Sequence, residues 1–143
     1  MKYVTLESAE IYFNTRIGSD PWDNTSDRVR EKALNHAERI FERLSYKDVE
    51  VTAGDIFPRG TQTEVPARVK EAIYEEALSL IQGNKTETEL SDLHVTSSSL
   101  AGFQTSVNEK TDRPWVTAQI TSPDAWMLIA PYLLDTRSFR TVA

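Results

Sequence analysis

A chain of 143 residues, 39% hydrophobic and 27% charged, is the size of one ordinary domain with enough apolar side chains for a modest core, which argues against disorder throughout. Its 22 acidic against 16 basic side chains leave a formal charge of -6, which opposes general attraction to phosphate backbones or anionic lipid. The lack of any cysteine excludes disulfide scaffolding, thiolate metal sites, cysteine nucleophiles and thiol redox switching, so packing has to hold the fold.

Met1-Lys2-Tyr3-Val4-Thr5 lacks the apolar run and cleavage site of a signal peptide, and no stretch approaches the ~20 apolar residues of a membrane span. The expectation is a protein that stays in the cytoplasm, or in whatever is assembled there. After Thr5, the spacing of Leu6, Ala9, Tyr12 and Phe13 predicts a short helix ending near Ile17-Gly18. Ser19 to Thr25 is dense in turn formers, and Trp22 within it is expected to plug the edge of the core. A second helix starts at Thr25 or Ser26. It carries Val29, Ala33, Ala37, Ile40 and Leu44 on one stripe, widened by Leu34 and Phe41. Its outer face alternates Arg28 with Glu31 and Arg39 with Glu42, pairs that mark solvent and not a site.

From Ser45 to Val65 the periodicity breaks down. Val49, Val51 and Ile56 suggest short extended pieces, ended by a turn at Phe57-Pro58-Arg59-Gly60. Pro66 opens a third helix, where its missing N–H costs nothing; Val69, Ala72, Ile73, Ala77, Leu80 and Ile81 form its buried stripe until Gly83-Asn84. Tyr74 suits the rim of the contact between these two helices.

Lys85 to Thr121 exceeds the ~12 to 15 residues expected of a structureless loop. Val95, Ser97 and Ser99, then Phe103, Thr105 and Val107, then Trp115, Thr117 and Gln119 alternate as strands do, with turns at Ala101-Gly102 and from Asn108 to Pro114. A hairpin or three-stranded flap over 94–120 is marginal alone, so it is expected to pack on the helices or on a neighbouring subunit. Ser122-Pro123-Asp124 is a strong helix start, followed by the nearly all-apolar Ala125 to Ala130, and Pro131 should kink or end that helix. Asp135 to Ala143, with Arg137, Phe139 and Arg140, is either a frayed terminus or a docking tail.

The fold expected is therefore mainly α: a single domain over 1–143, built as a small bundle of about four helices. Its helical core spans 5–83 and 122–134, with a β-rich insertion at 85–121 and an extended C-terminal tail at 135–143.

No constellation of reactive groups accompanies this fold. The five glycines are scattered and form no phosphate loop. Ser97, Ser98 and Ser99 have no histidine at a motif spacing, and His36 and His94 have no partner at metal-ligand spacing. Glu75-Glu76 and Glu87 to Glu89 are expected to be solvated faces. No catalytic, cofactor-binding or metal-binding residue is expected, and a stand-alone enzyme is the least favoured class.

Tyr3-Val4-Thr5-Leu6-Glu7 with Ala9-Glu10 and Tyr12-Phe13, then Trp22, then Arg30-Glu31-Lys32-Ala33-Leu34 with Ala37, are landmarks in sequence order. They are joined by Phe57-Pro58-Arg59, Val65-Pro66-Ala67-Arg68-Val69-Lys70 with Ala72, Tyr74-Glu75 and Ala77-Leu78, and Leu128-Ile129-Ala130-Pro131-Tyr132-Leu133. Together they resemble the head-to-tail connector, or adaptor, proteins of tailed bacteriophages, some of which carry an old label as DnaT-like single-stranded-DNA-binding proteins. The likeness covers most of residues 3–83 and returns near 122–134, while 84–121 depart from it. It implies a non-enzymatic virion protein of the neck, assembled in the host cytoplasm, whose copies form a dodecameric ring between the portal protein and the next neck or tail-terminator protein. The ring extends the channel through which the genome leaves.

On that reading, carboxylates lining the lumen would let DNA pass without specific binding. Arg137, Phe139 and Arg140 would dock on the portal, the aromatic ring in a pocket and the guanidinium groups on acidic partners. Phe103, Val107 and Trp115 would bridge to an adjacent subunit or the next ring. The alternatives are a single-stranded-DNA-binding accessory protein, which would need a basic groove beside Phe103 and Trp115, and a small phage regulatory protein acting as a monomer or dimer.

Overall fold

The structure, a computed structural model, describes residues 1–83 and 118–134. The tail at 135–143 and all of the expected flap except 118–120 lie outside the described residues.

The described chain is mainly helical. Helix α1 spans Leu6–Asn14 and starts at a reciprocal cap, in which Ser8 N donates to Thr5 Oγ1 and Thr5 N donates to Ser8 Oγ, both at 3.0 Å. It ends before the expected Ile17-Gly18, and Gly18, at φ +82°, takes the left-handed turn that follows. Where only a turn was expected, Asp20–Asp23 forms a short helix, α2, with Pro21 in its first turn. It buries Trp22, whose ring stacks on Phe13 with centroids 4.4 Å apart.

Helix α3, Asp27–Glu42, is capped by the Ser26 hydroxyl, and helix α4, Ala67–Ile81, follows Pro66. The ion pairs formed along α3 among the described residues run from Arg30 to Asp27 and to Glu10 of α1. Ser122 caps helix α5, Pro123–Ile129, by accepting from Ala125 N. Pro131 ends the α-helix as expected, and Ala130–Tyr132 continue as one 3-10 turn.

Helix α4 is the centre of the structure, packed by α3 and by α5. Covered from more than one side, it is buried without a break from Ala72 to Ser79, so it lacks the solvent face of an ordinary amphipathic helix. Tyr74 is accordingly buried rather than at a rim, its hydroxyl 2.8 Å from Ser8 Oγ. Phe13, Trp22, Leu34, Phe41, Phe57, Ile73, Ile120 and Ile129 are the large, almost fully buried side chains of the core. Each contributes roughly 1.5 to 3 kcal/mol of transfer free energy.

The strand expectation fails where it can be compared. Among the described residues there is no strand, only isolated antiparallel bridges between Tyr46 and Leu133 and between Glu50 and Arg59. Gln119, expected at the end of a strand, adopts φ +61° within a turn, a left-handed conformation outside the β region of regular strands. That turn swings Ile120 into the core and brings Thr121 and Ser122 onto α4. No helix among the described residues is long and apolar enough to cross a membrane.

Candidate interaction surfaces

The acidic residues of the core are where a reactive site would have to be sought. Glu75 and Glu76 are buried, at 5% and 0% exposure, which corrects the expectation of a solvated face. The reason is the double covering of α4. Neighbours on a helix point about 100° apart, so the two carboxylates meet different partners.

Glu75 turns toward α1. It accepts from Arg16 Nε and, at 2.8 Å, from Arg16 Nη2, and from the Tyr12 hydroxyl. The fork of Arg16 thereby fixes the end of α1 against α4. Burial first, and then the Glu75 carboxylate beside it, hold the Tyr12 phenol well above its usual pKa, so it stays a hydrogen-bond donor. Glu76 turns toward the returning chain and accepts from Ser122 N at 3.0 Å, Thr121 N at 3.1 Å and Thr121 Oγ1 at 2.8 Å. Burial pushes its pKa up to about 7, against the pull of those donors.

A third carboxylate, Glu38 of α3, is 3% exposed and accepts from the backbone N–H groups of Lys2, Tyr3 and Val4 at 2.8, 3.0 and 3.1 Å. All three acids thus tie a distant segment of chain to a helix. They do not converge on a shared cleft, and among the described residues no cluster of histidine and acidic side chains could hold a metal ion.

The surface offers something different. Residues 45–60 form a loop organised by Arg59, whose guanidinium donates to the carbonyls of Lys47, Asp48 and Ile56 at 2.8, 2.7 and 3.2 Å and lies 5.6 Å over the Tyr46 ring. Val51 N donates to Pro58 O and Gly60 N to Val49 O, closing the loop on itself. Phe57-Pro58 is a cis peptide, and Gly60, at φ +59°, brings its backbone against the Asp48 side chain, where a Cβ would sit only 3.2 Å from Asp48 Cβ. This frame holds Val49 and Val51 outward, 78% and 56% exposed. They line an open depression of about 580 Å³ with Asp48, Glu50, Ala53 and Arg59.

A second open depression, of about 310 Å³, lies between α3 and α4 and is lined by Val29, Lys32, Ala33, His36, Leu80 and Ile81. His36 is therefore a surface histidine at the edge of an apolar groove.

The residues expected to make contacts, Phe103, Val107 and Trp115 of the flap and Arg137, Phe139 and Arg140 of the tail, lie outside the described residues. The root of the tail is described. Lys47 N donates to Tyr132 O and Leu134 N to Ser45 O, so the chain leaves the core beside the base of the 45–60 loop. The sequence reading missed the role of Val49 and Val51. Their signal was a pair of alternating valines continued only by the small Ala53, too little apolar volume to make a buried strand of them. The chain matches no protein-family model, no curated protein and no solved structure.

Proposed function

We propose that this chain is a structural, non-enzymatic subunit of the neck of a tailed phage, a connector that forms a ring between the portal and the tail components and extends the DNA channel. The observation that supports this reading is the division of labour among its side chains. Its buried carboxylates are committed to holding chain segments together, while valines stand exposed on a braced loop and a second apolar face lies open between α3 and α4. Such surplus apolar surface on a small rigid body suits contact with other proteins. The portal above and a further neck or tail-terminator protein below are the partners, and DNA passes through the lumen without specific binding.

Electron microscopy of the purified protein mixed with portal-containing capsids tests this reading. A ring at one vertex is expected; capsids whose portal vertex stays bare at saturating protein would overturn it. Deleting residues 136–143 is expected to abolish that ring if Arg137, Phe139 and Arg140 make the portal contact, and an undiminished ring would remove the tail from the proposal. Steeply salt-dependent binding of single-stranded oligonucleotides, with no ring, would favour the accessory DNA-binding reading instead.

A further inference from the structure

Two open apolar surfaces on one small chain, differing in charge, raise the question of whether they fit each other. The loop surface presents Val49, Val51 and Ala53 beside the carboxylates of Asp48 and Glu50. The one cation of its lining, Arg59, is 11% exposed, directs its N–H groups to the carbonyls of Lys47, Asp48 and Ile56 and pairs with Glu50 at 3.9 Å, so the lining keeps a net negative charge through Asp48. The α3–α4 groove presents Val29, Ala33, Leu80 and Ile81, and its ionisable residues are Lys32 and His36, with no acid among its lining. Apolar centre meets apolar centre, and acidic rim meets basic rim.

We infer that the Val49–Val51 face of one subunit docks in the α3–α4 groove of a second copy of this chain. The inference rests on the ring reading and deepens it by naming the contact between neighbours. Because the two surfaces are different patches of one chain, the contact is head-to-tail. A contact of that kind leaves a free loop on one subunit and a free groove on the other, so it repeats, and it closes into a ring when the rotation per subunit divides a full turn. A second copy is a better occupant than an unrelated protein, because both complementary halves are present on every molecule. Arg59 and Gly60 hold the loop in shape before contact, which limits the ordering cost of association.

The absence of cysteine from the chain makes a direct test clean. Val49→Cys and Val29→Cys are made as separate full-length variants, both at exposed positions where folding is little affected. They are mixed, oxidised and run on a non-reducing gel. A disulfide-linked heterodimer is expected, at least tenfold more abundant than in a mixture of Val49→Cys with Ile17→Cys, a control at a 96% exposed residue that lines neither surface. The double variant carrying Val29→Cys and Val49→Cys should give a ladder of higher oligomers. Heterodimer no more abundant than the control overturns the proposal. So does Val49→Cys linking chiefly to itself, which would mean a symmetric contact between loops.

The ring reading fails separately. A ladder together with bare capsids keeps the head-to-tail contact and removes the portal role, whereas a ring on capsids without cross-linking removes the contact and keeps the role.

Discussion

At Glu38 three backbone N–H groups from Lys2, Tyr3 and Val4 converge on one carboxylate, and the residues they come from have no regular structure to satisfy them otherwise. Replacing Glu38 with Ala strands the Tyr3 and Val4 donors in a buried setting, at a cost of about 1 to 3 kcal/mol for each unsatisfied group. The Glu38→Ala variant should lose about 3 kcal/mol of stability in urea unfolding, with an unchanged slope; a loss under 1 kcal/mol would mean that water reaches those amides. Glu76 gives a pH signature. Its pKa rises from 4.5 in the unfolded chain to about 7 in the fold, so the folded state binds the proton more tightly. The stability it contributes is complete below pH 4.5 and is lost as pH rises through 7. Glu76→Gln removes the titration and keeps the shape: the amide oxygen can accept from Thr121 N and Ser122 N, and the amide N–H can donate to Thr121 Oγ1, which passes its own hydrogen to Ser79 Oγ. Relative to the parent, this variant should therefore gain about 3 kcal/mol between pH 4.5 and pH 8. A flat difference across that range, measured by urea unfolding at several pH values, would refute the shift.

At the scale of elements the helices divide by how local their causes are. Helices α3 and α4 could be read from the sequence because their apolar spacing and their starts at Ser26 and Pro66 are encoded within a few residues. Helix α5 was legible for the same reason, through Ser122-Pro123-Asp124. The burial of Glu75 and Glu76 was not, because it depends on Arg16, Thr121 and Ser122, which reach α4 from far along the chain. Nor was Arg59, which looks like any surface arginine until the loop closes around it. That loop carries its own prediction. Arg59→Ala removes three donors to carbonyls and a ring contact with Tyr46, so the local structure should open more easily by about 2 kcal/mol. Hydrogen exchange at the Val51 and Gly60 amides should accelerate by roughly tenfold or more, with the amides of α3 little changed. Equal acceleration in both places would mean that the loop is part of the global unfolding unit and not a separable element.

For the molecule as a whole, the long-range ties decide how it comes apart. The amino-terminal residues are fastened to α3 through Glu38, the 45–60 loop is fastened to Leu133 through the Tyr46 bridge, and α5 lies along α4. Trp22 stands near α1 and Ile129 on α5, and α4 contacts the helices of both. Among the described residues the helices lean on one central helix, so they are expected to unfold together in one cooperative two-state transition. With Trp115 and Trp126 replaced by Phe, the fluorescence of Trp22 reports the α1–α2 end, while far-UV circular dichroism reports all the helices. The two urea transitions should coincide. Ile129→Ala, a deletion at a fully buried site, should shift both by the same amount, about 2 to 5 kcal/mol. If it moved the dichroism transition and left that of Trp22 in place, α5 would be an independent layer and α4 could not be the element on which the whole fold depends.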